Sequence, residues 1–221
     1  MYSTLSGNNG KSRQAGRHAT YRIGITGCWR AGDRKKKAIA GLSMEGIAKR
    51  AGVSKVTLYR RYTDLPGLIM AYVNFHTDQA LHAAPQLAKP PAPLTDRQAL
   101  QDHLSALGYQ VLCLITRPDV VLFDNAVSAA QRQYPDIAAA LYQAGPAKVL
   151  STLSKNLADY LTEHHLSIEA DAAAQMLFAL WKGGFYEELQ MTGRMRLSPK
   201  ALQEHVNSRT GWFLAMLQAD S

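Results

Sequence analysis

The stretch SMEGIAKRAGVSKVTLYRRY (43–62) decides how this chain is read. Ser43 stands where a side-chain oxygen accepts from the open N–H groups of a helix start, and Met44, Ile47, Ala48 and Ala51 follow at helical spacing. Gly52 takes a positive φ at little cost, a common way to end a helix in a tight turn. Ser54 caps a second helix, on which Leu58 points back at the first. Ala48, Gly52 and Leu58 fit a helix-turn-helix, because a small residue is needed where two helices cross closely. Lys55, Thr57, Tyr59, Arg60 and Arg61 are left on the outer face of the second helix. They are donors suited to phosphates and to base edges in a major groove.

The charge along the chain agrees with that reading. The net charge of +8 is the sum of two unlike parts. Residues 1–62 hold 14 Lys and Arg against Asp33 and Glu45 alone, a net +12, and the remainder carries −4. A basic head on a mildly acidic body is the pattern expected when the head meets a polyanion. The 221 residues are 47% apolar, enough to bury a sizeable core, and a mean hydropathy of −0.20 argues against wholesale disorder. No apolar run approaches the ~18 residues of a membrane span, and the N-terminus lacks a signal-peptide stretch, so a cytoplasmic protein without a membrane partner is expected. Cys28 and Cys113 are too few and too far apart for a disulfide scaffold or a zinc site.

Periodicity beyond the motif is helical throughout, which makes the fold class all-α. Residues 1–20 read as a basic tail, 21–84 as the DNA-binding head and 96–221 as the body. Between them PQLAKPPAPLT (85–95) holds four of the nine prolines and reads as a linker. In the body, Thr95 or Asp96 caps a helix ended by Arg117-Pro118. Further helices are expected over 120–133, from Pro135 to Gly145-Pro146, over 148–163, over 169–191 and from Ser198-Pro199 onward. The apolar face of 173–189, with Trp212, Phe213, Met216 and Leu217, is wider than one core contact needs. It predicts a homodimer through the last two helices.

IAKRAGVSKVTLYRRY, followed by a helix starting near Pro66, resembles the helix-turn-helix of TetR/AcrR-family transcriptional regulators. YPDIAAALYQAGPAKVLSTLSKNLADYL (134–161) resembles the C-terminal domain of the AefR-like subgroup. The resemblance implies an all-α homodimer on a palindromic double-stranded DNA operator, a small-molecule effector pocket in the body, and a dimer interface of four helices. By analogy Lys55, Thr57, Tyr59 and Arg60 meet DNA from the recognition helix, and Ser43 contacts a phosphate. Ser54, Arg61 and Tyr62 complete the candidate DNA-binding set.

Two departures from the family pattern stand out. Leu65 occupies a place where the family commonly has Lys. Before the motif, YRIGITGCWRAGDRKKKAIAG (21–41) carries Gly24, Gly27, Gly32 and Lys35-Lys36-Lys37 where an amphipathic helix is expected. Each mid-helix Gly costs ~1 kcal/mol relative to Ala. That segment is either an unusual first helix, irregular without DNA, or the mark of a shifted frame or misplaced start.

The effector-pocket candidates are His103, Tyr109, Phe123, Tyr142, Trp181 and Tyr186, each of which also suits a plain core position. His164-His165 reads as a helix-end dipole partner rather than a metal pair. No nucleophile–base spacing, phosphate-cradling Gly loop or paired carboxylates are found, so neither an enzyme nor a cofactor or metal site is expected. A ligand-responsive repressor is the leading reading. The alternatives are a helical small-molecule-binding dimer that has lost competent DNA binding, and an enzyme using the body cavity.

Overall fold

The computed structural model describes residues 43–81 and 93–219, and every regular element among them is a helix. In chain order these are α1 (Met44–Ala51), α2 (Lys55–Tyr62), α3 (Leu65–Leu81), α4 (Arg97–Ile115), α5 (Pro118–Ala130), α6 (Pro135–Ala144), α7 (Pro146–Glu163), α8 (Ala170–Thr192) and α9 (Pro199–Ala219). The basic tail, the Gly- and Lys-rich segment 21–41 and most of the Pro-rich linker lie outside the described residues.

Short polar residues and prolines set most boundaries. The Asp96 carboxylate, rather than Thr95, accepts from the Ala99 N–H at 2.8 Å to start α4. Pro118, Pro135 and Pro146 each open a helix, where a missing N–H costs nothing. α5 therefore begins two residues earlier than periodicity suggested. Ser198 Oγ accepts from the Ala201 N–H at 3.2 Å at the head of α9.

One boundary differs in kind. α8 is broken inside at Gly183, where φ is 51° and ψ −174°, a region essentially closed to other residues. Sequence periodicity predicts an unbroken helix there. The carbonyl of Trp181, displaced from the helical ladder at the break, is instead met by His205 Nε2 of α9 at 2.9 Å. The His205 ring lies 3.3 Å from where a Gly183 Cβ would stand.

Two apolar clusters organise the molecule. The larger joins α4, α7, α8 and α9 around Leu104, Leu157, Tyr160, Leu177, Trp181 and Phe213. Most of the α8–α9 stripe that predicted an interface is spent here: Ala173, Leu177, Trp181, Phe213 and Leu217 belong to this cluster, and Leu189 is buried outside it. Met176, Trp212 and Met216 remain exposed, at 42%, 57% and 44%. The smaller cluster holds the head together through Met44, Ile47, Ala48, Leu58, Leu68 and Ile69, then continues into the body through Phe123, Val127, Ile137 and Ala144. α3 is the connecting element. It packs on α2 at one end and on α4, α6 and α7 along its length, and Lys148 of α7 pairs with Asp78 of α3 at 2.6 Å. Among the described residues no single helix is long and apolar enough to cross a membrane.

Candidate nucleic-acid interface and effector cavity

The local physics of residues 43–62 follows the motif closely. Ser43 Oγ accepts from the Gly46 N–H at 3.1 Å, and the Ser43 carbonyl receives the Ile47 N–H. Gly52 has φ 66° and ψ 28°, and the Val53 N–H folds back on the Ala48 carbonyl at 3.0 Å. Ser54 Oγ accepts from the Thr57 N–H at 3.0 Å. Leu58 is fully buried, so α2 is fixed in rotation by one anchor facing α1 and α3.

That anchor leaves Lys55, Val56, Tyr59, Arg60 and Arg61 exposed. Val56, at 75% exposure, is a residue sequence reasoning passed over, an apolar contact of the kind that suits a thymine methyl. Lys55 pairs with Glu45 of α1, a bond that raises the ammonium pKa and lowers that of the carboxyl through the hydrogen bond first and charge second. The Thr57 hydroxyl lies 2.7 Å from Ser54 Oγ, so part of its capacity is spent on the cap. Tyr62 stands apart from the set: it is half-buried against the head core, where the chain turns from α2 into α3.

A second feature lies where α3 meets the body. A cavity of about 150 Å³ is lined by Tyr72, His76 and Thr77 of α3, Val111 and Ile115 of α4, Val120, Phe123 and Asp124 of α5, and Phe178, Lys182 and Tyr186 of α8, among others. Of the six residues predicted to line a pocket, Phe123 and Tyr186 do so, and four do not. His103 is turned to Asn156 of α7 at 2.9 Å. Tyr109 packs on the edge of the larger cluster and Tyr142 is 52% exposed. Trp181 is fully buried against Gly108, its indole N–H donating to Thr210 at 2.9 Å. All four share helices with cavity residues, but sit at rotations that face other elements or, for Tyr142, solvent.

The polar groups of the cavity were the ones sequence reasoning missed. Burial pushes the Asp124 carboxyl up to about 7. Burial, and secondly the Asp124 charge, push the Tyr186 hydroxyl up to about 12, while that oxygen accepts from Gln190 Nε2 at 2.7 Å. Asp119 behaves otherwise. Burial raises it, but the two bonds from Arg117 at 3.1 and 2.6 Å, with smaller help from its own backbone and His76, hold it below the usual range. Among the described residues no group of three His, Cys, Asp or Glu side chains is placed to hold a metal.

The comparisons agree with this architecture. Residues 35–68 match the family described as bacterial regulatory proteins, tetR family, and residues 102–219 match the AefR-like transcriptional repressor C-terminal domain. The chain belongs to the TetR family. Its body is of the AefR-like type, and its helix-turn-helix is the DNA-binding unit of that family. Similar solved structures include a TetR-family regulator from Mesorhizobium loti, at 22% identity and TM-score 0.69, covering 92% of this chain and 98% of that one. A TetR regulator from Agrobacterium tumefaciens superposes at TM-score 0.68 with 15% identity, over 93% and 98%. The flavonoid-responsive regulator FrrA does so at 0.62 with 21% identity, over 90% and 96%. No curated protein matches the chain.

Proposed function

We propose that this TetR-family protein is a ligand-responsive repressor that binds a palindromic operator as a homodimer. The observation that carries the reading is the placement of α3, which continues directly from the α2 turn and also forms one wall of the cavity. In this account Tyr59, Arg60 and Arg61 anchor phosphates, with Ser43 at the start of α1, while Lys55, Val56 and Thr57 near the N-terminus of α2 read base edges. Lys55 exchanges Glu45 for DNA on binding. The C-terminal interface is centred on Met176, Trp212 and Met216, three of the apolar side chains that the chain's own core leaves exposed on α8 and α9.

Operator DNA selects a dimer whose two recognition helices lie ~34–36 Å apart or a multiple of that spacing. A molecule in the cavity acts by differential affinity: if it prefers an α3 position that spoils this spacing, it shifts the population away from DNA by that difference. The name of FrrA describes such responsiveness in a protein of the same fold. The test is selection from a random duplex library with the full chain, followed by sedimentation of the complex. A recovered inverted repeat bound by two chains is the expected result. Recovery of no sequence preference, or of one chain per duplex, contradicts the reading.

A further inference from the structure

The cavity has an unusual division of polar capacity. Arg117 is committed to Asp119 by two hydrogen bonds, and His76 faces that same carboxylate electrostatically. Lys182 holds its ammonium 4.7 Å from the centre of the Phe178 ring and forms no ion pair with Asp124. The Tyr186 oxygen accepts from Gln190. Asp124 thus sits in the wall with no hydrogen-bond donor supplied by the described residues, although it is a group whose ionised form demands one. Around it the lining is mostly apolar and aromatic, with Tyr72, Phe123 and Phe178 beside Tyr186.

Size and chemistry then narrow the occupant. An apolar cavity of about 150 Å³ in another protein accepts a single benzene ring. Of the donors such a molecule can carry, a protonated amine satisfies Asp124 with a charge-assisted hydrogen bond and is also attracted by aromatic ring faces. A carboxylate would face Asp124 as a like charge, and the one lysine of the lining, Lys182, already holds its ammonium against the Phe178 ring rather than beside Asp124. We infer that the cavity takes a small organic cation, an ammonium group on a body about the size of one aromatic ring, with Asp124 as its counter-ion. The elevated Asp124 pKa fits a carboxyl awaiting a cation, since burial without a partner is its cause.

This inference rests on the cavity being a ligand site, and the test separates the two. Benzylamine, toluene and benzoate are titrated calorimetrically into the full chain at about pH 8, where Asp124 is ionised and an alkylamine is still largely protonated. Benzylamine should bind roughly ten- to a hundred-fold more tightly than toluene, the range of a charge-assisted hydrogen bond, and benzoate most weakly of the three. Asp124→Asn should erase the advantage of benzylamine and leave toluene unchanged, and the variant should fold because it removes a buried charge. If toluene binds and benzylamine gains nothing over it, or keeps its gain in Asp124→Asn, the cation assignment falls and the ligand site stands. If none of the three binds, both fall.

Discussion

On α2 the charges of Lys55, Arg60 and Arg61 face solvent, whereas in the cavity wall the Asp124 carboxyl is half-buried and largely desolvated, without an ion-pair partner among the described residues. The two regions are joined by α3, yet they handle charge in opposite ways. An exposed cationic face keeps its hydration until a polyanion releases counterions from it, which suits a surface that must engage and leave DNA. A buried acid is costly until something of fitting size arrives, which suits a site that must discriminate. The shared cluster from Met44 through Phe123 to Ala144 means that neither region is mechanically alone.

The largest expected effect tests that continuity. Leu58→Ala leaves a cavity at the anchor of α2 and should cost ~2–5 kcal/mol, the range for truncating a buried Leu. If head and body form one cooperative unit, denaturant melts followed by Trp181 fluorescence, in a background with Trp29→Phe and Trp212→Phe, should shift together with global helix content. A body transition that stays in place would separate the two regions.

Asp124→Asn should act in the other direction, with a sign set by pH. The folded pKa of about 7 stands above the ordinary 3.8, so folding favours the protonated acid. The resulting penalty is absent below the lower value, grows as pH rises between the two and is complete above about 7. The variant should therefore gain on the order of a few kcal/mol above neutrality and nothing near pH 4, measured by unfolding at both conditions. Equal gains at both would place the burial cost elsewhere.

Gly183→Ala comes next. It forces a side chain into φ 51° and towards the His205 ring, and should cost ~1–3 kcal/mol in thermal unfolding without touching α2. Smallest of all is Arg60→Ala, which should leave folding unchanged. It should weaken binding to every duplex alike and lower the salt slope by ~0.9 per chain as one phosphate contact is lost. A sequence-selective loss would instead place Arg60 on a base edge.

The head was readable from its sequence because its determinants lie within twenty residues: Ser43 and Ser54 cap their own first turns, Gly52 turns the chain, and Leu58 closes the angle. Boundaries set by Asp96, Pro135 and Ser198 were readable for the same reason, whereas α7 opens on Pro146, two residues before the start expected at Lys148. The cavity was not. Its wall comes from helices far apart in sequence, and whether an aromatic residue faces it depends on a helix rotation fixed by distant partners. Trp181 and Phe178 share α8, but Gly108 and Thr210 draw the indole into the core while Phe178 lines the cavity. The Gly183 break depends on His205, twenty-four residues away from the carbonyl it meets. Asp124 left only a weak signal, as part of the polar pair Asp124-Asn125 inside the apolar run VVLFDNAV, and His76 left none, because YVNFHTDQAL is itself half polar.

The central claim is that the exposed face of α2 engages duplex DNA through its cations. The most direct test is fluorescence anisotropy of the full chain on the selected duplex over a series of salt concentrations. Log K should fall linearly with log salt, with a slope of about −0.9 for each phosphate contacted, and a scrambled duplex of equal length should show weaker binding with the same kind of dependence. Affinity that is flat with salt, or equal on the selected and scrambled duplexes, would contradict it.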